Sequence, residues 1–265
     1  MRCIGIDLGS RTIEVVVVED GRLVLSRQTE TGFEPVKQAE SLLPEGAGDC
    51  LLATGYGRHL FAADRGSRRT VTEIKAVAAG CRALLPEVDL ILDIGGQDSK
   101  VIALRSDGRV KKFEMNDRCA AGTGKFLELT AMSLGFPLDR FGQEALKAKK
   151  QLQINSMCAV FAESEVTSMV GRGENRLDIA LGLHRSIASR AVGMLKRFPL
   201  AGATIGFVGG VARNPCVRKL LEELLEVPVQ VPEDPQMVGA YGAALLASQQ
   251  CLGVKPEDVR LNAAG

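Results

Sequence analysis

Two aspartates that run into glycine turns, and two cysteines, are the residues of this 265-residue chain best placed to do chemistry. Asp7 precedes Gly9-Ser10-Arg11-Thr12, and Asp93 precedes Gly95-Gly96-Gln97-Asp98. Glycines let backbone N–H groups approach phosphate oxygens closely, and a carboxylate beside them can hold the water shell of Mg²⁺. A third turn, Gly209-Gly210, runs through Ala212 and Asn214 into an expected helix and suits an adenosine. Either aspartate alone reads as an ordinary strand-end turn, whereas the three turns together point to a nucleotide. Gln97 and Asp98 could orient water or Mg²⁺, or simply cap the turn. Cys119 and Cys158, 39 residues apart, each stand immediately before an expected helix. A helix N-terminus lowers thiolate pKa and favours an anionic metal cluster.

The elements that must position these groups alternate between strands and helices. Apolar and β-branched runs predict strands at 3–8, 12–19, 23–28 and 50–54, the last closed by Gly55-Tyr56-Gly57. Helical spacing predicts a helix over 72–85, with Pro86 just beyond it. Strand, glycine turn and strand then recur at 90–96 and 100–105. Asp7 stands 13 residues before Asp20-Gly21 and Asp93 stands 14 before Asp107-Gly108, so a β-hairpin unit looks duplicated. A helix-rich middle follows, with helices expected at 126–134, 160–170 and 177–195. A strand at 203–208 and helices at 215–225 and 238–249 complete an α/β pattern. The expected division is an N-terminal lobe of residues 1–115 and a C-terminal lobe of residues 116–265.

Competing chemistries fare worse. Gly122-Thr123-Gly124-Lys125 tempts a P-loop reading, but Phe126 stands where a hydroxyl must bind Mg²⁺ and Cys119 stands where the first glycine belongs. Leu127 replaces the last glycine of a dinucleotide fingerprint. With 33 basic against 32 acidic residues, no tryptophan and two tyrosines, the chain offers neither a field nor a stacking surface for nucleic acid. No apolar run reaches the roughly 20 residues that span a bilayer, so the expectation is a cytoplasmic protein without membrane association. His59 and His184 lack the spacing of a metal site. Glu163 and Glu165 read as helix-start or solvated residues, with tuning of the cysteine site or of the nucleotide response as the alternative.

Seven scattered cysteines argue against a secreted disulfide framework. Cys3, Cys50, Cys81 and Cys216 fall in apolar patterns and are expected in the core. Cys119 and Cys158 leave three readings open: buried thiols, ligands to Zn²⁺, or ligands to an iron–sulfur cluster. One chain offers only this pair, so a four-thiolate site would need two chains around a two-fold axis.

The order of Gly5-Ile-Asp7-Leu-Gly9-Ser10, Asp93-Ile-Gly95-Gly96-Gln97-Asp98 and Gly209-Gly210-Val-Ala-Arg213-Asn214 resembles the acetate kinase, sugar kinase, Hsp70 and actin superfamily. Within it, Ala53-Thr-Gly-Tyr-Gly-Arg58, Met115-Asn-Asp-Arg-Cys119-Ala-Ala-Gly-Thr-Gly124 and Cys158-Ala-Val-Phe-Ala-Glu-Ser-Glu165 resemble the ATP-dependent activators of 2-hydroxyacyl-CoA dehydratases and the ATPase subunits of benzoyl-CoA reductase. The similarity runs from about residue 3 to 250. One departure is Arg11-Thr12-Ile13-Glu14, where relatives commonly carry small hydroxyl residues and then lysine.

The resemblance implies a two-lobed actin-like ATPase with a ribonuclease H-like core in each lobe. Asp7, Asp93 and Gln97 would be catalytic. Gly9, Ser10, Arg11, Thr12, Gly95, Gly96, Gln97, Asp98, Gly209, Gly210, Ala212 and Asn214 would hold ATP or ADP with Mg²⁺. Cys119 and Cys158 would hold a [4Fe–4S] cluster shared by a homodimer. The implied function is oxygen-sensitive, ATP-driven delivery of a low-potential electron to a partner iron–sulfur dehydratase or reductase, with ferredoxin or flavodoxin as the donor. The rival expectations are a small-molecule kinase of the same superfamily and a regulatory ATPase without redox chemistry.

Overall fold

The computed structural model describes residues 2–20, 22–46, 50–64, 69–154 and 159–252. The elements in chain order are β1 (Arg2–Leu8), β2 (Thr12–Glu19), β3 (Arg22–Glu30), α1 (Pro35–Leu42), β4 (Leu51–Thr54), α2 (Arg58–Asp64), β5 (Arg69–Thr70) and α3 (Glu73–Leu84). There follow β6 (Leu90–Ile94), β7 (Ser99–Leu104), β8 (Val110–Asn116), α4 (Gly124–Ser133), α5 (Leu138–Ala145), α6 (Ala159–Gly171) and α7 (Arg176–Leu195). The last described elements are β9 (Ile205–Val208), α8 (Pro215–Leu225), β10 (Val229–Gln230) and α9 (Val238–Leu252).

The strands form two five-stranded sheets with the orders β3-β2-β1-β4-β5 and β10-β9-β6-β7-β8. Read from the other edge, the second sheet repeats the first, with β8, β7, β6, β9 and β10 standing for β3, β2, β1, β4 and β5. The duplicated hairpin expected from the two aspartate–glycine segments is therefore a duplicated sheet topology. The α/β class holds, with antiparallel β1–β2–β3 joined to parallel β4 and β5.

Two compact units carry these elements: Met1–Ile91 with Ile102–Phe113 and Pro232–Gly265, and Leu92–Val101 with Glu114–Val231. In the first, β2 is covered on both faces, which is why its sequence is a run of β-branched residues rather than an alternation. Ile13, Val15 and Val17 face a cluster containing Ala39 and Leu42 of α1. Val16 and Val18 face Ala240, Tyr241 and Ala244 of α9. Helix α9 lies so close to β1 that a Cβ on Gly5 would strike the Ala240 carbonyl, so a glycine at this strand position lets the alanine-rich helix seat on the sheet. The edge strand β3 is mostly exposed and carries the charges of Arg22, Arg27 and Glu30, which blunt an unpaired edge.

In the second unit the 20-residue α7 buries Ile179, Ala180, Leu183, His184, Ile187, Ala188, Ala191 and Leu195 along one broad stripe. It starts on Asn175, whose side chain accepts from Leu177 N at 2.8 Å. Asp178 accepts from the backbone N–H groups of Lys149 and Lys150 at 2.8 and 3.0 Å, and these bonds hold its carboxyl below the usual range.

Candidate functional site

The first turn is built around the carboxylate of Asp7. In β1 Asp7 pairs with Glu14 across β2 and with Thr54 across β4. A Cβ on Gly55 would collide with its Oδ1, and one on Gly239 would collide with its Oδ2, so backbone without side chains flanks both oxygens. The segment after β4 is fixed to the end of β1 by Gly57 N donating to Leu8 O at 2.9 Å. Arg58 then closes back on Gly55 O at 2.9 Å. The Gly55-Tyr56-Gly57-Arg58 motif thus holds the turn of Gly9, Ser10, Arg11 and Thr12 from one side. Thr31 holds it from the other, its Oγ1 donating to Gly9 O at 2.8 Å. Arg11 points outward and pairs with Glu30 at 3.4 Å.

Beside Asp7 sits a polar group that the sequence did not single out. Gln236 Nε2 donates to Thr12 Oγ1 at 2.7 Å and to Glu14 Oε1 at 2.9 Å. Glu14 is 3% exposed, and burial pushes its carboxyl up to about 7. Thr54 Oγ1 is buried and finds no hydrogen-bond partner among the described residues. A polar ligand group at this turn would satisfy it.

The second and third turns meet in the other unit. Asp93 lies in β6 and is 5% exposed. Lys100, in β7 and 1% exposed, places Nζ 2.7 Å from Asp98 Oδ1 and 3.7 Å from Asp93 Oδ2. This buried cation clamped by two carboxylates reads in the sequence only as a strand residue. Gly95 N donates to Asp98 O at 3.0 Å to close the turn, and Gln97 projects from its exposed tip. Gly209 has φ +84°, and a Cβ there would collide with Asp93 Oδ1, so the third turn reaches the second only through glycine. Gly210 follows it, and Ala212 N donates to Gly209 O at 3.1 Å.

Asn214 is fully engaged by its own unit. Its Oδ1 caps α8, accepting from Cys216 N and Val217 N at 3.0 and 3.1 Å. Its Nδ2 lies 3.0 Å from His184 Nε2, and His184 Nδ1 lies 2.7 Å from Ala180 O. This arrangement makes Nδ1 the protonated nitrogen, and burial lowers the His184 pKa to about 4. His184 is thus a buried partner of the Asn214 cap.

The segment holding Cys119 is tied to the second turn. Gly124 N donates to Gly95 O at 2.9 Å and Lys125 N donates to Gly96 O at 2.8 Å. The N–H groups that a P-loop would turn toward phosphate are therefore spent on the glycine turn. Cys119 precedes the short 3₁₀ turn Ala120–Gly122 and then α4, and Asn116 Nδ2 donates to its carbonyl at 3.0 Å. Cys119 is half-buried, whereas Cys3, Cys50, Cys81 and Cys216 are all buried, as expected for core thiols. Cys158 lies outside the described residues, and the first described residue after it opens α6. Among the described residues no group of three or more His, Cys, Asp or Glu gathers around a common point for a metal ion. The chemistry of Cys119 nevertheless fits a cluster ligand, since its thiol is partly accessible at the start of a helical segment.

Comparison with known proteins agrees over nearly the whole chain. The profile of the BadF/BadG/BcrA/BcrD ATPase family matches residues 4–247. The activator of lactoyl-CoA dehydratase from Anaerotignum propionicum is 39% identical over 256 residues, covering 93% of this chain and 97% of that protein. The (R)-2-hydroxyglutaryl-CoA dehydratase activating ATPase of Acidaminococcus fermentans is 37% identical over 253 residues, covering 92% and 96%. Among solved structures, the activator of 2-hydroxyisocaproyl-CoA dehydratase from Clostridium difficile with bound ADPNP superposes with a TM-score of 0.86 at 34% identity, covering 96% of this chain and 98% of that one. A ROK family glucokinase from Streptomyces griseus, at a TM-score of 0.58 and 14% identity, shares the fold alone.

Proposed function

The chain belongs to the BadF/BadG/BcrA/BcrD ATPase family, and on that premise we propose that it is an ATP-dependent reductive activator that delivers a low-potential electron to a partner iron–sulfur enzyme of the acyl-CoA dehydratase or reductase type. The observation that carries this reading is the pair of bonds from Gly124 N and Lys125 N to the carbonyls of Gly95 and Gly96. Through them the residues after Cys119 move with the turn proposed to hold phosphate, so a change at the nucleotide reaches the thiol without an intervening flexible link.

In this reading Asp7 and Asp93 hold the water shell of Mg²⁺, and the two glycine turns present N–H groups to the phosphates of ATP. Lys100 Nζ, 2.7 Å from Asp98 Oδ1 and 3.7 Å from Asp93 Oδ2, positions the two side chains. Gln97, exposed at its turn, orients the attacking water. Gly209, Gly210 and Ala212 line the adenosine, and Asn214 fixes that turn through the α8 cap.

Cys119 and Cys158 from each of two chains would ligate a [4Fe–4S] cluster, which when bound supplies one-electron chemistry at low potential. The exposed apolar residues support a homodimer on this side. Leu129 and Met132 of α4 are 40% and 72% exposed, and Phe161 of α6 is 68% exposed, on the two helices that follow the cysteines. Ferredoxin or flavodoxin is the donor in this scheme. A cytoplasmic location is consistent with a chain in which no helix among the described residues is long and apolar enough to cross a membrane.

Anaerobic purification tests the reading. The expected result is a brown protein with about one four-iron cluster per two chains, whose reoxidation by an acceptor iron–sulfur protein depends on ATP. An iron-free preparation with full ATPase activity would overturn it.

A further inference from the structure

Three sulfurs converge at one end of the first sheet. Cys3 lies in β1 and Cys50 immediately before β4, and Ile4 N donates to Cys50 O at 2.8 Å. Because Ile4 and Leu51 are partners in the parallel pair, Cys3 and Cys50 occupy neighbouring positions one residue earlier. Adjacent strands run about 4.8 Å apart, within the Cα separation that a disulfide spans. The two Sγ atoms are in direct contact at 2.6 Å.

Cys50 also reaches α9. Its Sγ donates to Ala247 O at 3.4 Å, and Cys251 of the same helix packs against the cluster that Cys3 and Cys50 form with Leu52 and Ala247. Cys3 and Cys50 are 1% and 3% exposed, whereas Cys251 is half-buried. Leu52, Ala247, Val71 and Leu246 complete an apolar surround. No carboxylate or histidine joins the three thiols in a metal-holding group among the described residues. The chemistry left to two touching buried thiols and a third nearer solvent is exchange.

We propose that Cys3, Cys50 and Cys251 form a thiol–disulfide relay that ends in a Cys3–Cys50 disulfide, with a small-molecule disulfide as oxidant. Cys251, as thiolate, attacks the external disulfide, forming a mixed disulfide and releasing one thiol. Cys50 attacks the Cys251 sulfur and releases the second thiol. Cys3 then attacks the Cys50 sulfur, forming the Cys3–Cys50 bond and returning Cys251 as a thiol. The sum is two protein thiols oxidised, one external disulfide reduced to two thiols, and the two thiol protons transferred to the leaving sulfurs.

Cys50 is closed off from an external oxidant by its burial, whereas Cys251 is half-buried, so the path runs through Cys251. The cross-link would tie β1, which carries Asp7, to β4, whose Thr54 pairs with Asp7, so oxidation would stiffen the strands that lead into the first turn. The inference stands independently of the nucleotide and cluster assignments.

The test uses the full-length protein held anaerobically, treated with glutathione disulfide, quenched by alkylation after unfolding, and mapped by mass spectrometry without reduction. The expected result is loss of labelling at Cys3 and Cys50 together, a cross-linked peptide pair lighter by two hydrogens, and a Tm raised by several degrees that dithiothreitol reverses. In Cys251→Ser the same cross-link is expected to form at least about ten-fold more slowly. Full alkylation of Cys3 and Cys50 after treatment would overturn the proposal, as would glutathione held on Cys251 with no transfer inward. An unchanged rate in Cys251→Ser would overturn the relay.

Discussion

Backbone meets the carboxylate of Asp7 on both sides, at Gly55 and Gly239, and an amide of the same shape fits the same space. Asp7→Asn and Asp93→Asn are therefore expected to fold and to keep their iron while losing ATP hydrolysis by on the order of 100-fold, since each removes a charge that acts through Mg²⁺. Steady-state phosphate release and iron content, measured on the same samples, check this. The cysteines separate in a parallel way. Cys119→Ala is expected to abolish the four-iron centre and leave nucleotide affinity within about two-fold, because both chains of a dimer would each lose a ligand. Cys216→Ala is expected to keep the iron, since Cys216 is fully buried at the start of α8 and burial pushes its thiol up to about 12.

The residues that sequence inspection found here share one property: their chemistry is local. Asp7-Gly9 and Asp93-Gly95 each carry the carboxylate and its turn in consecutive positions. Glu14 stood out in the sequence only as a departure from the lysine of relatives. Its pairing with Gln236, 222 residues away, had no local signal. Lys100 likewise looks like any polar residue in a strand until Asp93 and Asp98 are seen on either side of its ammonium.

At the scale of elements, the strands and helices buried on a broad face were legible in the pattern of apolar residues. β2 matches the expected 12–19 and α8 matches 215–225, while α3 is a residue shorter than expected at each end and α7 a residue longer at its start. The elements not anticipated are short or exposed. α1 and α5 span eight residues each, so their apolar stripes, Ala39 with Leu42 and Phe141 with Ala145, are too short to stand out, and β8 has no buried position. The cap of α8 shows how such elements are held in place. Asn214→Ala removes the two N-cap bonds and strips His184 Nε2 of its donor, with an expected cost of about 2 kcal/mol in urea unfolding.

The same contact carries a pH dependence. Burial lowers the folded pKa of His184 from 6.5 to about 4, so as pH falls the unfolded chain takes up the proton first. This contribution is whole above pH ~6.5 and is lost progressively down to about 4. Unfolding free energy is expected to fall by about 2 kcal/mol between pH 7 and pH 5 from this residue. Parallel urea titrations of the parent and of His184→Gln check it, the difference between the two pH values shrinking in the variant.

At the scale of the whole molecule, the repeated strand order around β1 and β6 gives each unit its own aspartate-bearing turn, so the two turns are repeats of one structural device. The proposed dimer belongs to this scale too. In it each chain would contribute Cys119 and Cys158, and the apolar Leu129, Met132 and Phe161 are exposed on the following helices. If four thiolates from two chains hold one cluster, its binding energy is also association energy, because separated chains each retain only two of the four ligands. Removing the iron with a chelator is therefore expected to raise the dimer dissociation constant by at least about ten-fold, to expose Cys119 to alkylation, and to leave the ATP affinity of the monomer within a few-fold. Sedimentation velocity across a dilution series, run anaerobically before and after chelation, measures the first of these. A dimer of unchanged affinity after complete iron loss would mean that the apolar helix faces alone join the chains. A monomer that keeps a full complement of iron would place all four ligands within one chain.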